Sequence, residues 1–353
     1  MTEPAAGRRL FLSAASAFVF AGVLTAGAAE AADHTWTPAA CTAADAASRD
    51  DTALLRCFAP VFVVEEGNRS FNRIGTPALY RTGGRDRARI DTETPAVFTE
   101  ARRDAIGGTR VLHLVYRVHF EKLAFKPSVF FERHRNVGVL AIVTLREADS
   151  APILLTTVYT CGCYRIILAT DLLDDAALPP GWRRGKRSAG HDLPARLTAP
   201  RPGESRYVIR LTSKAHRLAG VETSPVSAGA EESSARTPLP LREMKDLHRL
   251  PVEGTTAEIG SFFYTRGWKR GHVRGAWSPI EGVTAGLLLL DPMLGMDKEF
   301  GDPEETGTRF YTSLLPWRRD ASRLDRYEPL LRLLKFRTDR FGPGALTPSG
   351  SER

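Results

Sequence analysis

Apolar and polar residues alternate most clearly over residues 109–120 of the chain. One side of an extended chain would carry Leu112, Leu114, Tyr116, Val118 and Phe120. The other side would carry His113, Val115, Arg117 and His119. Because successive side chains of a strand point to opposite faces, this alternation predicts a β-strand.

Several further segments are short, apolar and rich in β-branched residues, which is typical of strands. They span residues 60–64, 96–99, 137–145, 153–159, 165–169 and 207–211. The segments between neighbouring strands are too short for crossover helices. We therefore expect a mainly β (α+β) fold, an antiparallel sheet or β-sandwich with a few peripheral helices. Residues 68–95 and 181–204, with their Gly and Pro, are predicted to be loops.

Four segments have the pattern of helices. They span residues 49–57, 171–177, 241–249 and 320–337. In the last of these, Leu324, Tyr327, Leu330, Leu331 and Leu334 share one face, with arginines opposite. This amphipathic pattern is typical of a helix packed on a core, and a helix lying on a membrane surface is the alternative.

The first 31 residues have the organisation of an export signal. Arg8-Arg9-Leu10-Phe11-Leu12 leads into an apolar run that ends near Ala29-Glu30-Ala31. This start resembles the twin-arginine signals of bacteria, which implies export across the inner membrane. An ordinary secretory signal and an uncleaved anchor are the alternatives. We expect a periplasmic or secreted protein whose signal is cleaved.

Changes in composition along the chain predict its organisation. Residues 1–31 form the signal, and residues 32–222 form a β-rich domain or half. Residues 223–240, rich in Ser, Ala, Glu and Pro, are predicted to be a flexible loop or linker. Residues 241–353 form a second β/α part that packs on the first.

The charge of the chain bears on its partners. The 353 residues carry a formal net charge of +8, with 42% hydrophobic and 25% charged residues. An anionic small molecule, a glycan or a lipid would suit this charge, although scattered basic residues also serve solubility. The absence of a long Lys/Arg block, together with export, argues against nucleic acid. Peripheral membrane contact would involve residues 320–337.

The four cysteines predict disulfides in an exported protein. We favour Cys41–Cys57 and Cys161–Cys163. A single helix over residues 41–57 would hold the first pair roughly 24 Å apart, whereas a disulfide needs α-carbons within about 7 Å. The chain must therefore turn back, and we expect this near Asp45 to Ser48, with Ser48 capping the second helix.

The sequence Thr160-Cys161-Gly162-Cys163-Tyr164 is the sharpest local candidate for chemistry. A structural disulfide at a hairpin tip is the simplest interpretation, and redox activity is an alternative. No cofactor is expected by default. If a metal is bound, Cys161, Cys163 and His134 are its predicted ligands.

Basic residues near the strand ends complete the predicted site. If residues 137–145 pair antiparallel with residues 109–120, His134 approaches His119 at one end of the sheet. Arg117, His119, His134 and Tyr164 are the predicted ligand-binding residues, beside the cysteine pair. Solvated strand faces are the simpler explanation for these polar side chains.

Two other stretches are weaker candidates. Gly267 to His272, with Trp277, mixes aromatic and basic residues in a way that suits sugars or anionic lipids. The acidic stretch over residues 290–306 could hold Ca²⁺, although an acidic loop is the default. Its carboxylates are Asp291, Asp297, Glu299, Asp302, Glu304 and Glu305.

Short catalytic signatures are absent from the sequence. It contains no Gly-x-Ser-x-Gly, no His-Glu-x-x-His and no phosphate-binding Gly-Lys-Ser/Thr. We therefore expect an exported ligand-binding or envelope-maintenance module, with the catalytic residues unknown if it is an enzyme. One alternative is an exported metal- or thiol-dependent enzyme using Cys161, Cys163 and the histidines. The other is a peripheral membrane protein.

Overall fold

A seven-stranded sheet runs through the middle of the protein. It is seen in a computed structural model that describes residues 32–124, 135–162, 164–182, 185–226, 236–276, 299–300 and 327–343. In spatial order the strands are β12 (Arg196–Leu197), β9 (Ile166–Thr170), β8 (Ala151–Tyr159), β7 (Arg135–Arg146), β6 (Thr109–Lys122), β5 (Val97–Ile106) and β16 (Leu241–Glu243). Strands β5 to β9 pair antiparallel, and the two edge strands pair in parallel with their neighbours.

The second sheet has five strands and covers one face of this central sheet. In spatial order they are β14 (Leu218–Pro225), β13 (Ser205–Leu211), β2 (Val61–Val64), β1 (His34–Pro38) and β15 (Arg236–Leu239). We call the covered side the apolar face, because β6 contributes Leu112, Leu114, Tyr116, Val118 and Phe120 to it. These side chains form one core with Phe62, Tyr207 and Ile209 of the covering sheet.

The opposite side of the central sheet carries His113, Arg117 and His119 of β6, and we call it the histidine face. A four-stranded sheet packs there: β18 (Ile259–Gly260), β17 (Leu250–Glu253), β3 (Thr76–Thr82) and β4 (Arg85–Asp91). The helix α3 (Glu328–Leu333) joins the same core through Leu330 and Leu331. Strands β10 (Lys186–Ser188) and β11 (His191–Leu193) form a separate hairpin.

Two short helices precede β2. Helix α1 (Ala43–Ala47) begins at Thr42, whose hydroxyl accepts from the backbone N–H of Asp45. Helix α2 (Asp51–Cys57) begins at Asp50, whose carboxylate accepts from two backbone N–H groups. The predicted reversal is therefore present, but it lies at residues 48–50, and Asp50 rather than Ser48 caps α2. A carboxylate cap also suits the positive end of the helix dipole.

Single-turn 3-10 helices connect several of the strands. They lie at Ser70–Asn72, Asp175–Ala177, Met244–His248, Gly267–Lys269 and Thr338–Arg340. The segment 241–249 was predicted as one helix, and this is wrong. Its first three residues form the edge strand β16, and only the next five are helical. Because Met244 and Leu247 are both buried, spacing of three residues had produced a helical pattern.

The mainly β prediction is confirmed, but two hairpins were missed. One is the hairpin of β10 and β11, which lies in the predicted loop 181–204. Residues 68–95 contain β3 and β4, paired antiparallel from Thr76↔Asp91 to Thr82↔Arg85. Most of β4 is exposed or half-buried, so its outward side chains are charged and its sequence lacks an apolar run. Gly83 and Gly84, with φ of 57° and 70°, form the tight turn that had indicated a loop.

The ends of the chain are described only in part. The predicted signal, residues 1–31, lies outside the described residues. Of the predicted helix 320–337, residues 320–326 also lie outside, and α3 ends at Leu333, earlier than expected. In the predicted linker 223–240, strands β14 and β15 occupy both ends, and residues 227–235 lie outside. No helix of the described part is long and apolar enough to cross a membrane.

Candidate functional site

Arg117 and His119 form a buried pair on the histidine face. The Nε of Arg117 donates a hydrogen bond to Nε2 of His119 over 2.8 Å, and neither side chain is exposed to solvent. Phe98 and Phe262 meet the His119 ring edge-on, at centroid distances of 5.7 and 5.1 Å. The simpler explanation, a solvated strand face, is wrong for both residues, because the four-stranded sheet covers them.

Burial and charge keep His119 neutral. Removal from water lowers the pKa of His119 well below its ordinary value, and the nearby guanidinium of Arg117 lowers it further. A neutral ring can accept from Arg117 through Nε2, which leaves the proton on Nδ1. The Nδ1 atom has no hydrogen-bond partner among the described residues. The pair is therefore a fixed element of the core and does not form a solvent-facing ligand site.

Tyr164 and Cys161 lie on the other side of the central sheet. Cys161 packs against the core of the apolar face. The ring of Tyr164 lies 5.0 Å from Tyr159 of the same core, and the guanidinium of Arg217 stacks 4.1 Å from it. The central sheet therefore lies between these two residues and the Arg117–His119 pair. The four residues do not form one site.

The predicted disulfide Cys41–Cys57 is present, with its α-carbons 4.6 Å apart. In the described part of the chain no cysteine is free, and no group of three or more metal-ligating side chains is found. Cys163 and His134 lie outside the described residues. The Cys161–Cys163 bond and the alternative metal site with His134 therefore stay predictions.

An open pocket of about 960 Å³ lies beside the edge strand β16. It is lined by one side of α2, by residues 99–102 of β5 and by residues 240–245 around β16. Ala39, His248, Glu299 and Phe300 complete the lining. Its volume is at the upper end of the range of about 300–1,000 Å³ that is typical of small-molecule sites.

His248 stands in the wall of this pocket between two hydrogen-bonding partners. Its Nε2 contacts the carboxylate of Glu299 at ion-pair distance, and its Nδ1 lies 3.4 Å from the hydroxyl of Ser261. The Ser261 oxygen in turn accepts from the backbone N–H of Phe263 over 3.1 Å. The ring is therefore held from both sides, and the three residues form one polar chain, which we call the His248 chain.

Buried neighbours place each member of the His248 chain. Leu247 is fully buried and accepts from the backbone N–H of Phe262, so the 3-10 helix and the segment after β18 are tied together. The backbone N–H of Glu299 donates to the carbonyl of Gly271, and Phe300 is buried in the core. These anchors are apolar or backbone contacts, and they leave the side chains of His248 and Glu299 in the pocket lining.

The residue types Ser, His and Glu are those of an acyl-transfer triad, but the geometry does not favour a nucleophile. Ser261 is only 6% exposed and is not part of the pocket lining. A nucleophile must reach a bound substrate, whereas this hydroxyl faces the ring and a backbone N–H. We therefore assign Ser261 the role of orienting His248.

Opposing influences act on the protonation of His248. The hydrogen bond with Glu299 raises the pKa of His248 above its ordinary value, while burial and the charge of Arg117 act in the opposite direction. Phe263 lies between the two basic groups, 5.3 Å from the Arg117 guanidinium and 5.2 Å from the His248 ring. The buried pair of the histidine face is thus electrostatically connected to the pocket wall.

The charges that line the pocket are mixed, with a surplus of cations. The basic side chains are Arg56, Arg102, Arg242 and Lys245, and the acidic ones are Glu100, Glu243 and Glu299. Arg56 pairs with Asp45, outside the lining, and Lys245 pairs with Glu243. Arg242 is exposed and has no ion pair among the described residues, so its guanidinium is available to an anion.

Sequence reasoning missed His248 and Ser261. They are separated from each other and from Glu299 by 12 and 37 intervening residues, and none belongs to a short motif. Glu299 was noted only as one of six carboxylates of a candidate Ca²⁺ stretch, and the other five lie outside the described residues. A sequence pattern cannot reveal the His248 chain, because that chain depends on contacts between three segments that are far apart in the sequence.

The aromatic and basic stretch after β18 is also only partly described. His272 is buried, with Nδ1 3.1 and 3.0 Å from the carbonyls of Lys269 and Arg270, so it stabilises its own turn. Trp277 lies outside the described residues. The proposed sugar or lipid contact of this stretch stays a prediction.

Comparison with known proteins adds no relative, since no family model, curated protein or solved structure matches the chain.

Proposed function

We propose that the protein is an exported ligand-binding module that takes an anionic small molecule into the pocket beside β16. The observation that carries this proposal is the pocket itself. It has the volume of a small-molecule site and includes Arg242, an exposed guanidinium without a carboxylate partner in the described part. The catalytic alternative has less support, because the only serine of the His248 chain is buried away from the lining.

Export is supported by two independent features of the chain. The N-terminal residues have the charge and apolar pattern of a bacterial signal. The Cys41–Cys57 disulfide is of a kind that persists in oxidising compartments. A binding module in the periplasm or cell envelope would meet free anions, acidic glycans and lipid headgroups.

Inorganic sulfate is a suitable first probe for the pocket, because it is a dianion at every pH at which the protein would be studied. Isothermal titration calorimetry at low salt should detect sulfate binding to the full mature chain. Arg242→Ala should weaken that binding on the order of tenfold, since it removes a charge-assisted contact. Arg87→Ala, an exposed arginine of β4 outside the pocket, is the matched control and should bind as the wild type does.

Two results would contradict the proposal. One is the absence of sulfate binding at low salt and mildly acidic pH. The other is equal weakening by Arg242→Ala and Arg87→Ala, which would mean that the protein attracts anions through its net charge alone. Anionic vesicles in a parallel experiment separate a lipid headgroup from a free anion, because only the former would carry the protein into the pellet.

A further inference from the structure

We propose that the His248–Glu299 pair is a pH-dependent charge gate, which lets the pocket hold an anion at mildly acidic pH and weakens its hold as the pH rises. This inference rests on the proposed anion-binding function and concerns the regulation of the same pocket. It depends on two observations: the contact of His248 with Glu299, and the position of both residues in the pocket lining.

The charge of the pair changes by one unit when His248 titrates. With a protonated ring, the imidazolium and the Glu299 carboxylate cancel, and the pocket keeps its surplus of cations. With a neutral ring, Nε2–H still donates to the carboxylate, but the pair carries a net negative charge. An anion in the pocket then loses the attraction of the imidazolium and meets an uncompensated carboxylate, which weakens its binding.

Several charged groups of the described residues lie near His248. Its own 3-10 helix and the residue after that helix carry Lys245, Asp246 and Arg249. From other elements come Glu299, the Ser261 hydroxyl and, behind Phe263, Arg117. Of these, only Glu299 contacts a ring nitrogen with a charged atom. The hydrogen bond with Glu299 also raises the pKa of His248, so the transition falls above the ordinary value for histidine.

Ser261 makes the gate compatible with both states of the ring. A hydroxyl can donate to Nδ1 when the ring is neutral and accept from Nδ1–H when the ring is charged. Phe263 N–H holds the hydroxyl oxygen in place in both cases. The ring therefore need not move when it titrates, and the effect on an anion is electrostatic.

The sign of the pH dependence follows from this charge count. Sulfate affinity is high below the pKa of His248 and falls as the pH rises through that pKa. The expected change between about pH 5.5 and pH 8.5 is on the order of tenfold for a dianion. Calorimetry of the full mature chain across this range, at constant low salt, measures it directly.

Two variants give opposite results if the gate operates. His248→Gln keeps a donor for Glu299 but cannot be charged, so its sulfate affinity should be low and nearly independent of pH. Glu299→Gln removes the negative charge, so its affinity should exceed that of the wild type at pH 8.5. In Glu299→Gln the remaining pH dependence should also shift to lower pH, because the pKa of His248 loses its supporting carboxylate.

Direct titration of His248 by NMR separates the gate from a loss of structure. The ring signals of wild type and Glu299→Gln give the pKa of His248 with and without sulfate, and linkage requires sulfate to raise it. Sulfate binding that is sensitive to Arg242→Ala but constant from pH 5.5 to 8.5 would overturn the gate and leave the proposed function standing. No binding at any pH would overturn both.

Discussion

The two faces of the central sheet are buried to the same degree but are built from different residues. On the apolar face, every second residue of β6 from Leu112 to Phe120 is apolar, which gives five apolar side chains. On the histidine face, the same strand contributes His113, Arg117 and His119, and all three are fully buried. One strand therefore meets two cores that place different demands on its sequence.

The polar residues of the histidine face are not those that stability alone would favour. Burying a polar group is costly unless it is hydrogen-bonded, and apolar residues of similar size would fill the same space without that cost. The histidine face buries polar groups close to the pocket. There, the Phe263 ring contacts both the Arg117 guanidinium and the His248 ring. The apolar face also reaches the pocket, through Leu55, Ala101 and Leu241, but it does so with apolar side chains. Its residues are those expected for packing alone.

Truncation on the apolar face should have the largest effect on stability. Leu114→Ala leaves a cavity between two sheets and should lower the free energy of unfolding by about 2–5 kcal/mol, as measured by urea denaturation. Leu333→Ala is a matched control, because Leu333 is 52% exposed, and it should change stability by less than about 0.5 kcal/mol. Equal effects of the two substitutions would mean that this face is not a packed core.

The disulfide strengthens the same face and should rank second. Helix α2 contributes Leu54 to the core of the apolar face, the next residue after the helix, Phe58, joins the same core, and Cys57 links the last turn to Cys41. Replacing both cysteines by serine releases the loop between them and should lower the free energy of unfolding by about 3 kcal/mol. Reductant should cost the wild type more stability than it costs the double variant, and an equal response would contradict the prediction.

The polar pair of the histidine face should show a non-additive effect. Arg117→Met leaves Nε2 of His119 buried without its donor and should lower stability by about 1–3 kcal/mol. Adding His119→Leu removes the orphaned acceptor, so the double variant should be more stable than the sum of the single changes predicts. A double-mutant cycle in urea measures this coupling, and simple additivity would show that the pair contributes nothing beyond its separate packing.

The strands of the central sheet could be predicted because their signal is local. Alternation over residues 109–120 gave both faces of β6, and the order of short strands gave their antiparallel pairing. The hairpin β3–β4 was not predicted, because exposed strands need no apolar pattern. The parallel edge pairing was not predicted either, since β16 pairs with β5 across more than a hundred residues of chain.

The site was less predictable than the fold. Arg117 and His119 were selected as polar residues on a strand, but sequence alone could not show that another sheet covers them. The covering strands β3, β4 and β17 lie on either side of β6 in the chain. The His248 chain depends on three positions far apart in the sequence, whose proximity is set by buried leucine and phenylalanine neighbours. Long-range contacts of this kind leave no periodic signal in one sequence.

A buried histidine also lies on the apolar face, and its titration gives the most specific test. His216 stacks on Phe120 with ring centroids 3.8 Å apart, and burial lowers the pKa of His216 from 6.5 to about 3. The unfolded chain binds a proton below pH 6.5 that the folded chain excludes until about pH 3. Stability is therefore complete above pH 6.5 and falls as the pH is lowered, by up to about 1.4 kcal/mol per pH unit for this one group.

His216→Asn should remove that contribution, because asparagine does not titrate and tolerates the positive φ of 50° at this position. The free energy of unfolding of the variant should therefore depend less steeply on pH between about 6 and 4.5 than that of the wild type. His119→Gln, which keeps an acceptor for Arg117, should flatten the same dependence from the histidine face, since the pKa of His119 is also lowered. If only His119→Gln flattens it, the neutral histidine belongs to one face alone, and the contrast between the two faces is sharper than the static structure indicates.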